Sequence, residues 1–183
     1  MVANRQRRIR MPIASVEKFF LRACRKLRVS PDSVTVCFVS DPVMARWNAL
    51  YRSKRGATDV LSFPAENGGK PSRRNARIHA DAGAVHFGGS RLQPRHKTIA
   101  KKKGASAPEV AKNPREEKIY LGDLAIAPAV AQRNARRFRR TFDTELHMLI
   151  LHGILHLLGY DHETDSGQME RRETRLRRSL GLS

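Results

Sequence analysis

The sequence predicts one α/β (α+β) domain, on three observations: a length that suits a single core, apolar positions that switch between strand and helix periods, and one basic stretch with neither period. At 183 residues the chain can bury one sizeable core and is short for two. Hydrophobic residues make up 40% of it, and the modest shortfall reflects extra arginine and lysine rather than a missing core.

A short strand is expected near Val2 to Arg5. A helix from about Ser15 follows, with Val16, Phe19, Phe20, Ala23 and Leu27 on one face, ended by Pro31 and Asp32. Alternation through Val34, Val36 and Phe38 predicts a half-buried strand, and Asp41 with Pro42, as cap and first-turn proline, opens a helix through Tyr51. Asp59 to Phe63 reads as a strand stopped by Pro64. From about Asn67 to Lys118 the chain has six Gly, four Pro, 13 Lys or Arg and only four Asp or Glu, with no sustained apolar period. This segment, 67–118, is expected to be a disordered insertion, a solvated linker rather than a dedicated RNA-binding arm. The core resumes as a strand at IYLGDLAIA, 119–127, and Pro128 opens a short helix ending in the basic run RRFRR. A helix from about Thr144 to Leu158 stops at Gly159, and a last amphipathic helix, about Ser166 to Leu180, turns Met169, Leu176 and Leu180 inward and five arginines mostly outward.

The formal charge is +19, from 36 Lys and Arg against 17 Asp and Glu, so nucleic acid is the expected partner. A membrane-surface protein of equal charge would need an exposed amphipathic helix or a lipidation signal, and neither is present. The first residues, MVANRQRRIR, lack the apolar run of an export signal, and MLILHGILHLLGY is too short for a membrane span. Cys24 and Cys37 have no metal-type spacing and read as small buried thiols, which fits a reducing cytoplasm.

The residues that carry chemistry lie together near the C-terminus. His152 and His156, four apart on a helix, aim two imidazoles at one point, and Gly159 permits the left-handed turn that brings His162 to the same point. Three neutral nitrogen ligands with one position open suit a catalytic zinc ion, although nickel and cobalt match the ligand type too. Metzincin proteases share this register but place a general-base Glu after the first histidine, where this chain has Gly153. Three neutral ligands leave the ion's full positive charge in place, which favours a phosphodiester substrate.

Three segments resemble the YbeY family of ribosomal-RNA maturation endoribonucleases: HGILHLLGYDH (152–162), WNALYRSKRGATDVLSFP (47–64) and YLGDLAIAP (120–128). The similarity spans nearly the whole chain except the basic insertion, which departs from the family's usual short connection. It implies a compact α/β fold with a central four-stranded mixed sheet surrounded by about five helices. It also implies single-strand-specific cleavage of RNA near the 3′ end of 16S rRNA, and a part in ribosome quality control. His152, His156 and His162 match the family's metal ligands, and Arg52 matches its functionally important arginine. A guanidinium there would fork onto two phosphate oxygens. Two other readings compete: a non-catalytic, zinc-stabilised RNA-binding ribosome assembly factor, and a zincin-like hydrolase of another substrate.

Other polar residues carry weaker expectations. Asp161 could orient His162 or a water but reads equally well as a solvated turn residue. His147 is expected on the helix surface off the ligand face, Asp123 in a structural role, and His79, His86 and His96 show no ligand-like grouping. With only 6% aromatic residues, RNA specificity is expected to lie in a partner, the ribosome's small subunit or a protein on it.

Overall fold

In the computed structural model, which describes residues 1–65, 119–162 and 165–182, the expected strands form one mixed sheet. Its strands are β1 (Val2–Asn4), β2 (Val34–Phe38), β3 (Val60–Pro64) and β4 (Gly122–Ile126), in the order β1-β2-β4-β3. β1 and β2 are parallel, as are β2 and β4, while β3 runs antiparallel to β4 along one edge. Five α-helices occur among the described residues: α1 (Ile13–Leu27), α2 (Asp41–Arg52), α3 (Pro128–Arg137), α4 (Phe142–Leu157) and α5 (Gln168–Leu180). The insertion expected at 67–118, with His79, His86 and His96, lies outside the described residues.

Helices cover both faces of the sheet. On one face Val34, Val36, Phe38, Leu124 and Ile126 pack with residues of α1, α4 and α5; on the other Cys37, Leu61, Phe63 and Ala125 pack with Met44 and Trp47 of α2. The half-buried reading of β2 is therefore corrected, since all five of its residues are buried. Its alternation separates two apolar layers rather than core from solvent. The one hydroxyl in the strand, on Thr35, is satisfied by Tyr120 at 3.0 Å. Cys24 and Cys37 are buried and free, and burial raises both thiols to a pKa of about 11, as expected of structural cysteines.

Several boundaries move for local reasons. α1 ends at Leu27 because Arg28 adopts a left-handed conformation, and Pro31–Ser33 forms a separate 3-10 turn. Ser40 rather than Asp41 precedes α2, and Asp41 instead faces Arg133 at 3.4 Å. α4 starts two residues before its expected origin because the Thr141 side chain accepts a hydrogen bond from the Thr144 amide at 3.0 Å. Pro64 belongs to β3, which an edge strand permits because its outward side needs no donor.

α4 positions the site. It touches α1, α3, α5, β3 and β4, and Leu146, Ile150, Leu151, Ile154 and Leu155 are fully buried in it, each worth about 1.5–3 kcal/mol. Gly153 lets this helix lie close on the sheet: a Cβ there would sit 2.7 Å from a methyl carbon of Leu124. The position that carries the general base in metzincins thus faces the core here. No described helix is long and apolar enough to cross a membrane.

Candidate metal centre and active-site cleft

On a helix buried nearly all round, His152 and His156 occupy the side that opens to a cleft of about 710 Å³. After α4 the chain turns at Gly159, whose φ of +87° is the left-handed conformation the sequence predicts, and His162 comes round to the same opening. The nearest nitrogens of the three imidazoles lie within 4.8 Å of one another, with ring centroids 4.7, 5.3 and 5.6 Å apart.

Such a group can hold a metal ion. Two imidazole nitrogens bound about 2.0–2.1 Å from one tetrahedral ion stand about 3.3 Å apart. His152 Nε2 and His156 Nε2 lie 3.1 Å apart. Burial, followed by the neighbouring His152 and His162, holds the His156 pKa below its ordinary 6.5, so the ring is neutral and its lone pair is available near neutral pH.

Glu173 completes the cluster, and the sequence reading missed it. Its Oε2 lies 3.1 Å from His152 Nδ1, so the ring donates at Nδ1 and points Nε2 into the cleft. Arg177, one turn on, donates to the other carboxylate oxygen. Burial acts to raise the Glu173 pKa, but the bonds and charges of His152 and Arg177 outweigh it and hold it below its ordinary value. A signal was present: Glu173 sits four residues after Met169, within the inward stripe of α5, where an unpaired acid would be costly.

The opposite wall comes from β3 and the end of α2, which bring Tyr51, Arg52 and residues 58–64 to the cleft. Arg52 is exposed at the C-terminus of α2 and thus lines the same opening as the three histidines. Tyr160 and Asp161 form the rim beside His162, with the Arg172 guanidinium 5.3 Å above the Tyr160 ring.

Of two other expectations, one holds and one does not. Asp123 is almost fully buried and accepts a hydrogen bond from Tyr120, in keeping with the structural role expected of it. His147 is not a surface residue: its side chain is 12% exposed and its ring stacks on Phe19 of α1. Helical spacing did place it off the ligand face, but it could not reveal that α1 covers that side.

The profile of the family described as Endoribonuclease YbeY matches residues 1–181. This chain belongs to the YbeY endoribonuclease family. A Solibacter usitatus protein named Endoribonuclease YbeY is 53% identical over 168 residues, covering 92% of this chain and 79% of its own length. A Nautilia profundicola protein of the same name is 45% identical over 154 residues, covering 84% and 76%. The fold matches the solution structure of a Thermotoga maritima protein at a TM-score of 0.51 and 22% identity, covering 98% of this chain and 89% of that one. YbeY membership makes the chain an endoribonuclease of rRNA maturation, a hydrolase of phosphodiester bonds, and the histidine cluster is compatible with a metalloenzyme.

Proposed function

We propose that the cleft is the active site of a zinc-dependent endoribonuclease that cuts single-stranded RNA near the 3′ end of 16S rRNA. The work is placed in the cytoplasm, in rRNA maturation and ribosome quality control. One observation carries the reading: His152, His156 and His162 converge in a cleft that Arg52 also lines. The donor set supports zinc, because three imidazoles, one backed by a carboxylate, would hold that ion as neutral nitrogen donors. A small-subunit ribosomal protein is the expected partner that presents the cut site.

In this mechanism His152, His156 and His162 would hold the ion, and Glu173 fixes the tautomer and orientation of His152. The ion, when bound, supplies Lewis acidity toward a phosphoryl oxygen and toward water. Arg52 places a guanidinium on two non-bridging oxygens of the scissile phosphate and offsets the charge that develops there. Asp161, beside His162 on the rim, is positioned to orient the attacking group. Gly153 contributes no base, since its Cα faces Leu124.

Cleavage of a labelled single-stranded RNA tests the reading. The wild-type protein should cut it, with activity lost on chelation and regained with zinc, and a His156→Ala variant purified in parallel should be inactive. Equal cutting by both proteins, or by neither, would reject the assignment and favour the non-catalytic assembly factor. Arg52→Ala should lower kcat/KM by about 10²–10³-fold with metal content unchanged, and Arg52→Lys should restore only part of the loss.

A further inference from the structure

At the other end of α4 from the histidines, four residues connect α3 to α4, and the first, Phe138, is 50% exposed. Two guanidiniums frame its ring, with Cζ of Arg137 at 5.5 Å and Cζ of Arg140 at 5.1 Å from the centroid. Arg140 is anchored from beneath, donating to the buried Glu145 at 3.2 Å. Among the described residues, Arg136, Arg137 and Arg139 have no acidic partner. An aromatic face in a cluster of cations suits a stacked nucleobase with phosphates on either side.

The backbone adds an independent observation. Arg140 N donates to Ala135 O at 2.8 Å and Arg139 N to Arg136 O at 3.2 Å, the paired bonds of a helix end that places its next residue in the left-handed region. That residue is Arg139, with φ of 55°, where glycine carries no steric penalty. The chain thus keeps one of the four arginines of RRFRR at a site where stability alone favours glycine.

We propose that Phe138, with Arg137, Arg139 and Arg140, is a stacking platform that binds a single-stranded stretch of RNA outside the catalytic cleft. Along α4 the platform stands about 15–21 Å from the level of His152 and His156 at 1.5 Å per residue, so a strand of several nucleotides reaches both. The inference rests on the reading of the cleft as an RNA-cutting site, but binding at the platform is measurable without cleavage. The platform would act beside the partner expected from composition, because one of the few aromatics is exposed among arginines.

The test uses fluorescence anisotropy of a labelled oligoadenylate under chelation, with wild-type, Phe138→Ala, Phe138→Trp and Arg139→Gly proteins, together with zinc-restored cleavage of that RNA and of a trinucleotide. Phe138→Ala should bind the long RNA about tenfold more weakly, and Phe138→Trp should bind at least as well as wild type. Arg139→Gly should melt at a higher temperature yet bind more weakly, with a shallower salt dependence. Trinucleotide cleavage should be unchanged in all of them. Wild-type affinity in Phe138→Ala and Arg139→Gly would overturn the proposal and assign this surface to an acidic protein partner. Equal losses on the long RNA and the trinucleotide would overturn it as well. Failure of wild-type protein to cut either RNA, with the binding differences intact, would reject the cleft assignment and leave the platform standing.

Discussion

Both ends of α4 carry a histidine beside a carboxylate, and the two arrangements serve opposite purposes. Near the start of the helix His147 lies flat on Phe19, 4.2 Å between centroids and 10° between planes, with Nε2 3.5 Å from Ser15 Oγ and 3.6 Å from Asp143 Oδ2. Ser15 donates to the same carboxylate oxygen at 2.8 Å. Serine, histidine and aspartate meet here, but hydroxyl and carboxylate crowd one ring nitrogen, so the acid cannot hold the imidazole as a base toward the serine. The cluster ties α1 to α4. Near the end of the helix the carboxylate of Glu173 takes Nδ1 of His152 and leaves Nε2 beside Nε2 of His156, 3.1 Å away, at the cleft. A histidine's role is thus decided by what covers its ring and which nitrogen remains available.

Alanine substitution should separate the two ends most widely. His152→Ala should lower RNA cleavage on the order of a thousandfold or more, as expected when several kcal/mol of transition-state stabilisation are lost, whereas His147→Ala should cut at close to the wild-type rate. Comparable losses in single-turnover cleavage would erase the distinction. The carboxylates come next. Glu173→Gln should weaken metal binding by about 10–100-fold in a competitive chelator titration, and Asp143→Asn should leave it unaltered.

Gly153, between His152 and His156, sharpens the comparison by testing the packing that presents the ligands. Gly153→Ala should gain about 1 kcal/mol of helix propensity but lose about 1–3 kcal/mol through overpacking on Leu124, a small net destabilisation in urea unfolding. A net gain would mean that Leu124 yields freely.

The smallest effect concerns pH. Burial, aided by the charge of Arg22, lowers the His147 pKa below its ordinary 6.5, although Asp143 and Ser15 act to raise it. The folded state therefore binds fewer protons here than the unfolded chain, so stability is fully present above pH 6.5 and is lost as pH falls through the lowered folded value. His147→Phe should flatten the fall in Tm as pH drops below about 6.5, and a fall as steep as in the wild type would contradict this. At neutral pH, losing the stack in His147→Ala should cost about 0.5–1.5 kcal/mol.

Much of the fold was legible, since every described strand and helix begins and ends within a few residues of its expected place. Errors gathered where partners are distant. β2 looked half-buried because alternation reports two faces, and it cannot tell that α2 covers the second one. His147 looked exposed because the spacing within α4 says nothing about α1.

What the sequence by itself determined is the local geometry of the site. Two histidines one turn apart, a glycine in the left-handed conformation and a third histidine beyond it converge because backbone geometry dictates it within a dozen residues. Only the tertiary structure decided what surrounds them. Glu173 arrives 21 residues after His152, and Arg52 arrives from a helix across the sheet. Phe138, apolar by composition, remains exposed between two helices that pack elsewhere. The physical reason is that helical and turn periodicities are written in neighbouring residues, whereas the meeting of distant side chains depends on which faces are buried together, and that is set by the packing of the whole core.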